Sequence, residues 1–352
     1  MTLPREFSLI ARHFGPLAGP GALGLADDAA LLDPPTGKQL ILAADAMVEG
    51  VHFLAADPPE TVGRKLLRVN LSDLAAMGAA PLGYLMTTAF GRGMDEAWIA
   101  GFAAGLAEDQ RAFGLSVLGG DTVVTPGPAC FSLTILGSVE PGRAIRRQGA
   151  RPGDEVWVSG SIGDGALGLL VLAGQVAVGM PPSRPSPASA GEGVSDPSER
   201  LRGPLHAGHA AFLAERYRLP QPRLALGQAV AAHVSAGMDV SDGLVQDLGH
   251  LCRAAGCGAE IAAADIPLSD AARAALAADP RLLPTILAGG DDYELLLAVP
   301  PGRDAALAEA ARAAGVPLTR IGRFHAGPAE VTVTGPDGAP IPLDRAGWSH
   351  FA

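Results

Sequence analysis

Hydrophobic residues recur at helical spacing through Leu66, Leu67, Val69, Leu71, Leu74, Ala75 and Met77, and the spacing predicts a helix across residues 69–78 that is buried over most of its surface. Asn70, Ser72 and Asp73 interrupt that surface. A carboxylate in such company loses hydration, so Asp73 needs a cation, strong donors or a raised pKa to be tolerated. Ahead of this helix, residues 6–14 pattern as a short helix with Phe7, Ile10 and Phe14 on one side. Residues 29–32 read as a strand after the paired Asp27 and Asp28, and residues 39–44 as a strand running into Asp45. Val51-His52-Phe53 follows a Glu49-Gly50 turn.

Beyond the central helix, residues 82–90 pattern as a strand and 96–113 as a long helix with Trp98, Phe102, Leu106 and Phe113 facing inward. Residues 115–118 pattern as a short buried strand ending in Gly119-Gly120-Asp121-Thr122, whose glycines before an acid suit a phosphate or metal site and equally a tight turn, and 131–139 pattern as another strand. The turn Arg151-Pro152-Gly153-Asp154 places a domain boundary near residue 148, giving one domain over 1–148 and a second over 149–352. The second half opens on a strand at 155–159 and passes through Gly160-Ser161-Ile162-Gly163-Asp164-Gly165 into an apolar helix. Such a glycine-rich turn can hold phosphate, but the Lys and Ser/Thr of a P-loop do not follow it. Residues 181–202, rich in Pro, Ser, Ala and Gly, read as a flexible surface insertion. Helices at 205–217 and 224–233 lead to Asp239 and Asp242, with Ser241 as N-cap of a helix reaching residue 255. Helices at 270–278 and 282–287 then enter Gly289-Gly290-Asp291-Asp292-Tyr293-Glu294, followed by a strand, a last helix and two closing strands. The fold class is α/β, with α+β character.

Composition narrows the functions. A chain of 352 residues, 48% hydrophobic and 18% charged, is globular and long enough for two domains. Its 26 Lys and Arg against 37 Asp and Glu leave a net charge of -11, which disfavours nucleic acid and anionic membranes as partners and suits a protein that recruits cations. Cys130, Cys252 and Cys257 make an odd count without a CxxC pair, so neither a disulfide framework nor a zinc motif is expected, although His206 and His209 lie close in sequence. The N-terminus has no apolar signal core and every long hydrophobic run is interrupted, so a soluble, cytoplasmic protein is expected.

Asp27, Asp28, Asp45, Asp73, Asp121, Asp239 and Asp242 all border apolar segments. Together they offer many oxygens and no soft ligands, which points to a hard dication such as Mg²⁺; singly, each also reads as a cap or turn residue. Magnesium on carboxylates commonly serves phosphates, and Arg143, Arg146 and Arg147 supply guanidinium forks for phosphate oxygens unless they form a solvated basic turn. No activated nucleophile is visible: there is no GxSxG elbow, and Ser72 and Ser241 lack a base nearby in sequence. Composition and spacing therefore reach as far as a magnesium-dependent, phosphate-handling enzyme.

A resemblance goes further. Asp27-Asp28-Ala29-Ala30-Leu31-Leu32, Asp45 with Val51-His52-Phe53, Asn70-Leu71-Ser72-Asp73-Leu74-Ala75-Ala76-Met77-Gly78, Gly119-Gly120-Asp121-Thr122, Asp239-Val240-Ser241-Asp242-Gly243-Leu244 and Gly290-Asp291-Asp292-Tyr293-Glu294-Leu295 resemble the ordered motifs of the thiamine-monophosphate kinases. These belong to the superfamily of aminoimidazole ribonucleotide synthetase. The resemblance implies a two-domain α/β fold whose N-terminal sheets meet in a homodimer, and ATP-dependent phosphorylation of thiamine monophosphate to thiamine diphosphate. It implies Asp28, Asp45, Asp73, Asp121, Asp239 and Asp242 as magnesium ligands, with Asp28, Asp73, Asp121 and Asp242 central to catalysis. By the same resemblance Gly120, Asp121, Arg147 and Ser241 contact ATP, and His52, Asp291 and Trp348 contact the thiamine ester.

The chain departs from the family pattern at Ala43 and Ala44, where hydroxyl residues are common, at Ala26 in place of glycine, and at Asp291 in place of the longer glutamate. Two alternatives accompany the kinase reading. One is a sister enzyme that activates another small substrate with ATP, although the chain has neither the N-terminal cysteine of selenophosphate synthetase nor the terminal cysteine of the hydrogenase-maturation protein. The other is a non-catalytic Mg-nucleotide-binding regulator, which would bind ATP without forming ADP.

Overall fold

The computed structural model describes residues 5–176, 178–179 and 204–349, and the insertion expected at 181–202 lies outside the described residues. The chain forms two compact units. One gathers Met1–Gln148, Gln221–Asp239 and Gly302–Val316, the other Gly149–Pro220, Val240–Pro301 and Pro317–Ala352.

The first unit is built on a four-stranded sheet of β1 (Gln39–Val48), β2 (Ala80–Gly91), β3 (Val117–Thr125) and β4 (Cys130–Val139), in the order β1-β4-β2-β3. Only β2 and β3 run parallel, as they must when a helix carries the chain from one to the other. That helix, α2 (Glu96–Phe113), packs beside α1 (Pro59–Ala76). Glycines let the two backbones close up: a Cβ at Gly105 would lie 2.0 Å from the Glu60 carbonyl oxygen. Arg68, on α1, pairs with the fully buried Asp109 of α2, Nη2 to Oδ1 at 3.0 Å. The inner face of the sheet meets α2 through an aromatic cluster in which the Phe102 and Phe131 rings are 4.8 Å apart. The outer face is different. Leu42 (63% exposed), Leu85 and Val123 leave a broad apolar surface open to solvent. Helices Leu224–Val230 and Asp304–Ala314 complete the unit, the first packed on α1 where Gly227 meets the Ala75 backbone.

The second unit carries a six-stranded sheet of β5 (Glu155–Ser159), β6 (Ala236–Val240), β7 (Gly258–Ala262), β8 (Glu294–Val299), β9 (Leu318–His325) and β10 (Val331–Thr334), in the order β10-β7-β9-β5-β8-β6. β6 carries the chain from the first unit into the second between Asp239 and Val240. The helices α3 (Asp164–Leu172) and α4 (Ala207–Arg218) pack together, α5 (Leu244–Ala255) lies against β7, and α6 (Asp270–Ala278) against α4. Among the described residues, no helix is long and apolar enough to cross a membrane.

Most expected elements form, and four local expectations are corrected. Residues 29–32 are not a strand: Leu31 is 69% exposed, and the following Asp33-Pro34-Pro35 offers two residues without an N–H for a ladder. Gly119-Gly120-Asp121-Thr122 does not follow the end of a short strand but forms the middle of β3, with Met86 opposite Gly120. A Cβ at Gly120 would sit 1.7 Å from the Met86 carbonyl oxygen, so glycine is required there by close approach. Asp45 likewise lies within β1, opposite Leu133, and not at a strand end. Ser241 does not cap α5. Gly243 holds that position, and the buried Asp247 Oδ2 accepts the amides of Ser241, Asp242 and Gly243 from one turn inside the helix.

Candidate active site

In the first unit the fold brings three of the expected carboxylates together. Asp73 lies on α1 and Asp239 near the end of β6, while Asp45 comes from β1. Ser72 Oγ donates to Asp239 Oδ2 at 2.7 Å, and both residues are buried. Asn70 ties Asp45 to the same helix: its Oδ1 accepts the Asp45 amide at 3.1 Å while its Nδ2 donates to the Leu66 carbonyl. The polar stretch that interrupts the apolar surface of α1 is thus what gathers the cluster.

Its electrostatics are under-compensated. Burial first, then the charges of Asp239 and Asp45, push the Asp73 carboxyl up to about 8 against the pull of Arg147. Asp239 is pushed up to about 6, again chiefly by burial with Asp45 adding to it, while the Ser72 hydroxyl and Arg147 oppose. A hard dication would relieve both, and the donors are all oxygen. Among the described residues, no three His, Cys, Asp or Glu side chains converge as a ready-made metal cage. The donor chemistry therefore fits a magnesium ion that completes its shell with phosphate oxygens and water, as Mg²⁺ commonly does.

Arg147 reaches this cluster because its segment is pinned at two points: Ile145 N donates to the Met77 carbonyl at the end of α1, and Gly237 N on β6 donates to the Arg146 carbonyl. Gly120 and Asp121 lie on β3, where Asp121 Oδ1 accepts the Thr122 amide and the residue is exposed. His52 stands in the turn after β1, its Nδ1 accepting the Val48 amide and its carbonyl accepting the ammonium of the buried Lys65. Asp28 is exposed on a bend in the same unit, and none of the hydrogen bonds or charge effects described for Asp45, Asp73 and Asp239 involves it.

Ser241, Asp242, Asp291 and Trp348 belong to the second unit. The Ser241 carbonyl accepts the Asp291 amide, and the Asp242 carbonyl accepts the Trp348 amide, both at 2.9 Å. Gln246 Nε2 donates to the Trp348 carbonyl at 2.7 Å, so the C-terminal segment is fastened over the start of α5 with the indole half exposed. These three segments, far apart in sequence, meet at one turn.

Residues 26–139 match the N-terminal domain of AIR synthase related proteins, and residues 151–334 match the C-terminal domain of the same family. A thiamine-monophosphate kinase of Caulobacter vibrioides is 42% identical over 352 residues, covering 99% of this chain and 91% of that protein. The chain belongs to the thiamine-monophosphate kinase family. A crystal structure of the family from Stenotrophomonas maltophilia K279a is 36% identical, with a TM-score of 0.75 over 90% of this chain and 91% of that one. A structure of AaThiL complexed with AMPPCP and TMP is 28% identical, with a TM-score of 0.71 over 98% of this chain and 94% of that one.

Within this thiamine-monophosphate kinase fold, four residues support the candidate site that sequence reasoning did not single out for it. Asn70 and Ser72 orient Asp45 and Asp239, and their signal was present, since both lie in the motif that carries Asp73. Asp247 and Asp292 are buried carboxylates that accept backbone amides at the starts of α5 and α3. Burial pushes Asp292 well above the usual carboxylate range while the Gly163 and Gly165 amides pull it down. Neither Asp247, set in a helical stretch, nor Asp292, one of a pair of acids, shows in sequence which amides it accepts.

Proposed function

We propose that the chain transfers the γ-phosphoryl group of ATP to thiamine monophosphate, forming thiamine diphosphate and ADP. The observation that carries this reading is a full-length match to thiamine-monophosphate kinases, at up to 42% identity, in a chain whose motif acids Asp45, Asp73 and Asp239 gather in one cluster. The AaThiL structure complexed with AMPPCP and TMP, which shares this fold, supports both substrates. Asp28, Asp45, Asp73, Asp121, Asp239 and Asp242 would hold Mg²⁺, which supplies charge neutralisation on the transferring phosphoryl group when bound. Gly120, Asp121, Arg147 and Ser241 contact the nucleotide, and Ala43 and Ala44 leave the metal or its waters without hydroxyl partners from those positions. With no activated side-chain nucleophile, the substrate's own phosphate oxygen attacks the γ-phosphorus in line, and catalysis comes from positioning and charge neutralisation. Incubation of the pure chain with ATP, Mg²⁺ and thiamine monophosphate should yield thiamine diphosphate and ADP in equal amounts. ATP binding without ADP would favour the regulatory reading, and ATP turnover without thiamine diphosphate a sister enzyme.

His52, Asp291 and Trp348 hold the thiamine ester, whose thiazolium ring is a permanent cation. A cation over an indole contributes about 0.5 to 2 kcal/mol, so Trp348→Ala should weaken thiamine monophosphate binding by roughly two- to thirty-fold. Binding of ATP should barely change. Because Trp348 is 51% exposed, its truncation leaves the core intact, and calorimetric titration of both ligands reads the difference. Equal losses for the two ligands would remove the thiazolium contact. The open apolar face bearing Leu42, Leu85 and Val123 is assigned to a second copy of the chain, in a cytoplasmic homodimer. Sedimentation of the intact chain as a monomer at micromolar concentration would refute that assembly.

A further inference from the structure

Asp292 is 1% exposed, and it accepts hydrogen bonds from Gly163 N to Oδ2 at 2.7 Å and from Gly165 N to Oδ1 at 3.1 Å. Both amides belong to the start of α3, where first-turn N–H groups have no partner inside the helix. The glycine-rich turn, which in sequence reads as able to hold phosphate, is thus filled by the chain's own carboxylate.

The residues on either side of Asp292 have left-handed backbones, Asp291 at φ 70° and Tyr293 at φ 52°. Aspartate tolerates that region better than most residues; for a bulky tyrosine it is a strained state that persists only when the surroundings enforce it. Here they do. Asp291 N donates to the Ser241 carbonyl at 2.9 Å and Tyr293 N to the Val240 carbonyl at 2.7 Å. Beyond them, the fully buried Glu294 is held by Ser159 Oγ at 2.6 Å and Arg216 Nη2 at 2.9 Å. Two glycines permit the approach: a Cβ at Gly165 would lie 2.2 Å from the Asp291 carbonyl oxygen, and one at Gly290 would lie 2.3 Å from that of Ser241.

We propose that Asp292 is a positioning residue for the thiamine ester: by accepting the Gly163 and Gly165 amides, it keeps its neighbours Asp291 and Tyr293 in the left-handed conformations that set Asp291 against the Ser241-Asp242 turn. The proposal rests on the assignment of Asp291 to that substrate. A side chain held in place before binding loses little freedom on contact, so relaxing the segment should cost substrate affinity more than it costs the chemical step.

Two variants approach the segment from opposite sides. Asp292→Asn keeps the shape but turns one acceptor into a donor that faces an amide N–H. Gly165→Ala suits a helix intrinsically, yet its methyl group runs into the Asp291 backbone. In steady-state assays each should raise KM for thiamine monophosphate by about tenfold while KM for ATP and kcat stay within about threefold of wild type. Asp291→Ala should raise the same KM, and adding Asp292→Asn to it should raise KM by less than about twofold more, because both act through one contact.

If Asp291→Ala raises KM and the other two variants do not, positioning by Asp292 is overturned while the substrate assignment stands. If Asp291→Ala leaves KM unchanged, the substrate assignment itself fails, and the proposal with it. Effects of Asp291→Ala and Asp292→Asn that multiply in full would reduce Asp292 to a general role in stability. Should Asp292→Asn not fold, Gly165→Ala alone decides.

Discussion

Asp73→Asn should slow phosphoryl transfer by about a hundredfold or more at saturating substrates while leaving the metal-free protein at least as stable as wild type. The first half follows from the proposed chemistry: a bound Mg²⁺ would supply several kcal/mol of charge stabilisation, each 1.4 kcal/mol is about a factor of ten in rate, and Asp73 is among the acids proposed to hold that metal. The second half follows from the site. Burial and the Asp239 and Asp45 charges disfavour an ionised Asp73, so at neutral pH the metal-free wild type folds with that carboxyl protonated, a cost that asparagine does not carry. Asparagine keeps the size of the side chain on a helix whose neighbouring Leu71, Ser72 and Leu74 are fully buried. Turnover measured across magnesium concentrations, beside a melting curve in chelator, tests both halves. Wild-type rates at limiting magnesium would remove Asp73 from the metal site, and a collapsed melting temperature would mean that its charge has a structural partner.

The contrast between Asp73 and Asp292 shows what the sequence made legible. Asp73 stands out because the residues around it are apolar at helical spacing, so a local pattern alone poses the question of its charge. Asp45 and Asp239 could be grouped with it only loosely, as acids that border apolar segments, and more firmly by the family motif, since they lie on other elements and no spacing rule connects β1, α1 and β6. Asp292 gave no such signal. Its partners, Gly163 and Gly165, are more than a hundred residues away, and the turn they form reads as a phosphate site until the carboxylate is seen in it. Ser241 failed as a cap for a related reason: hydroxyl residues before a helix are good caps on average, but Asp247 reaches the same amides with a full charge. The paired Asp27-Asp28 and its apolar successors look like a strand start because local pattern cannot show that, among the described residues, no strand pairs with this segment ending in two prolines.

The stability of the metal-free protein should fall as pH rises from about 4 to about 8, with Asp73 and Asp239 among the causes, beside the buried Asp292. In the unfolded chain both carboxyls titrate near 3.8, whereas in the folded chain Asp239 holds its proton to about 6 and Asp73 to about 8. Over that window the folded state binds more protons than the unfolded one, and linkage then requires stability to decrease with pH, by up to about 1.4 kcal/mol per pH unit for each group. Below the unfolded value both states are protonated and the effect vanishes; above about 8 both are ionised and it levels off. Magnesium, if held as proposed, should reverse the trend, because its ligands must be deprotonated and its binding to the folded state is favoured at higher pH. Denaturant titrations of wild type and Asp73→Asn in chelator isolate the Asp73 share, since asparagine mimics the protonated acid at every pH. The variant's advantage should widen from pH 5 to pH 8 and then stop growing. An advantage that stays constant across that range would mean that Asp73 is ionised at ordinary pH, with its charge already balanced inside the protein before any metal arrives.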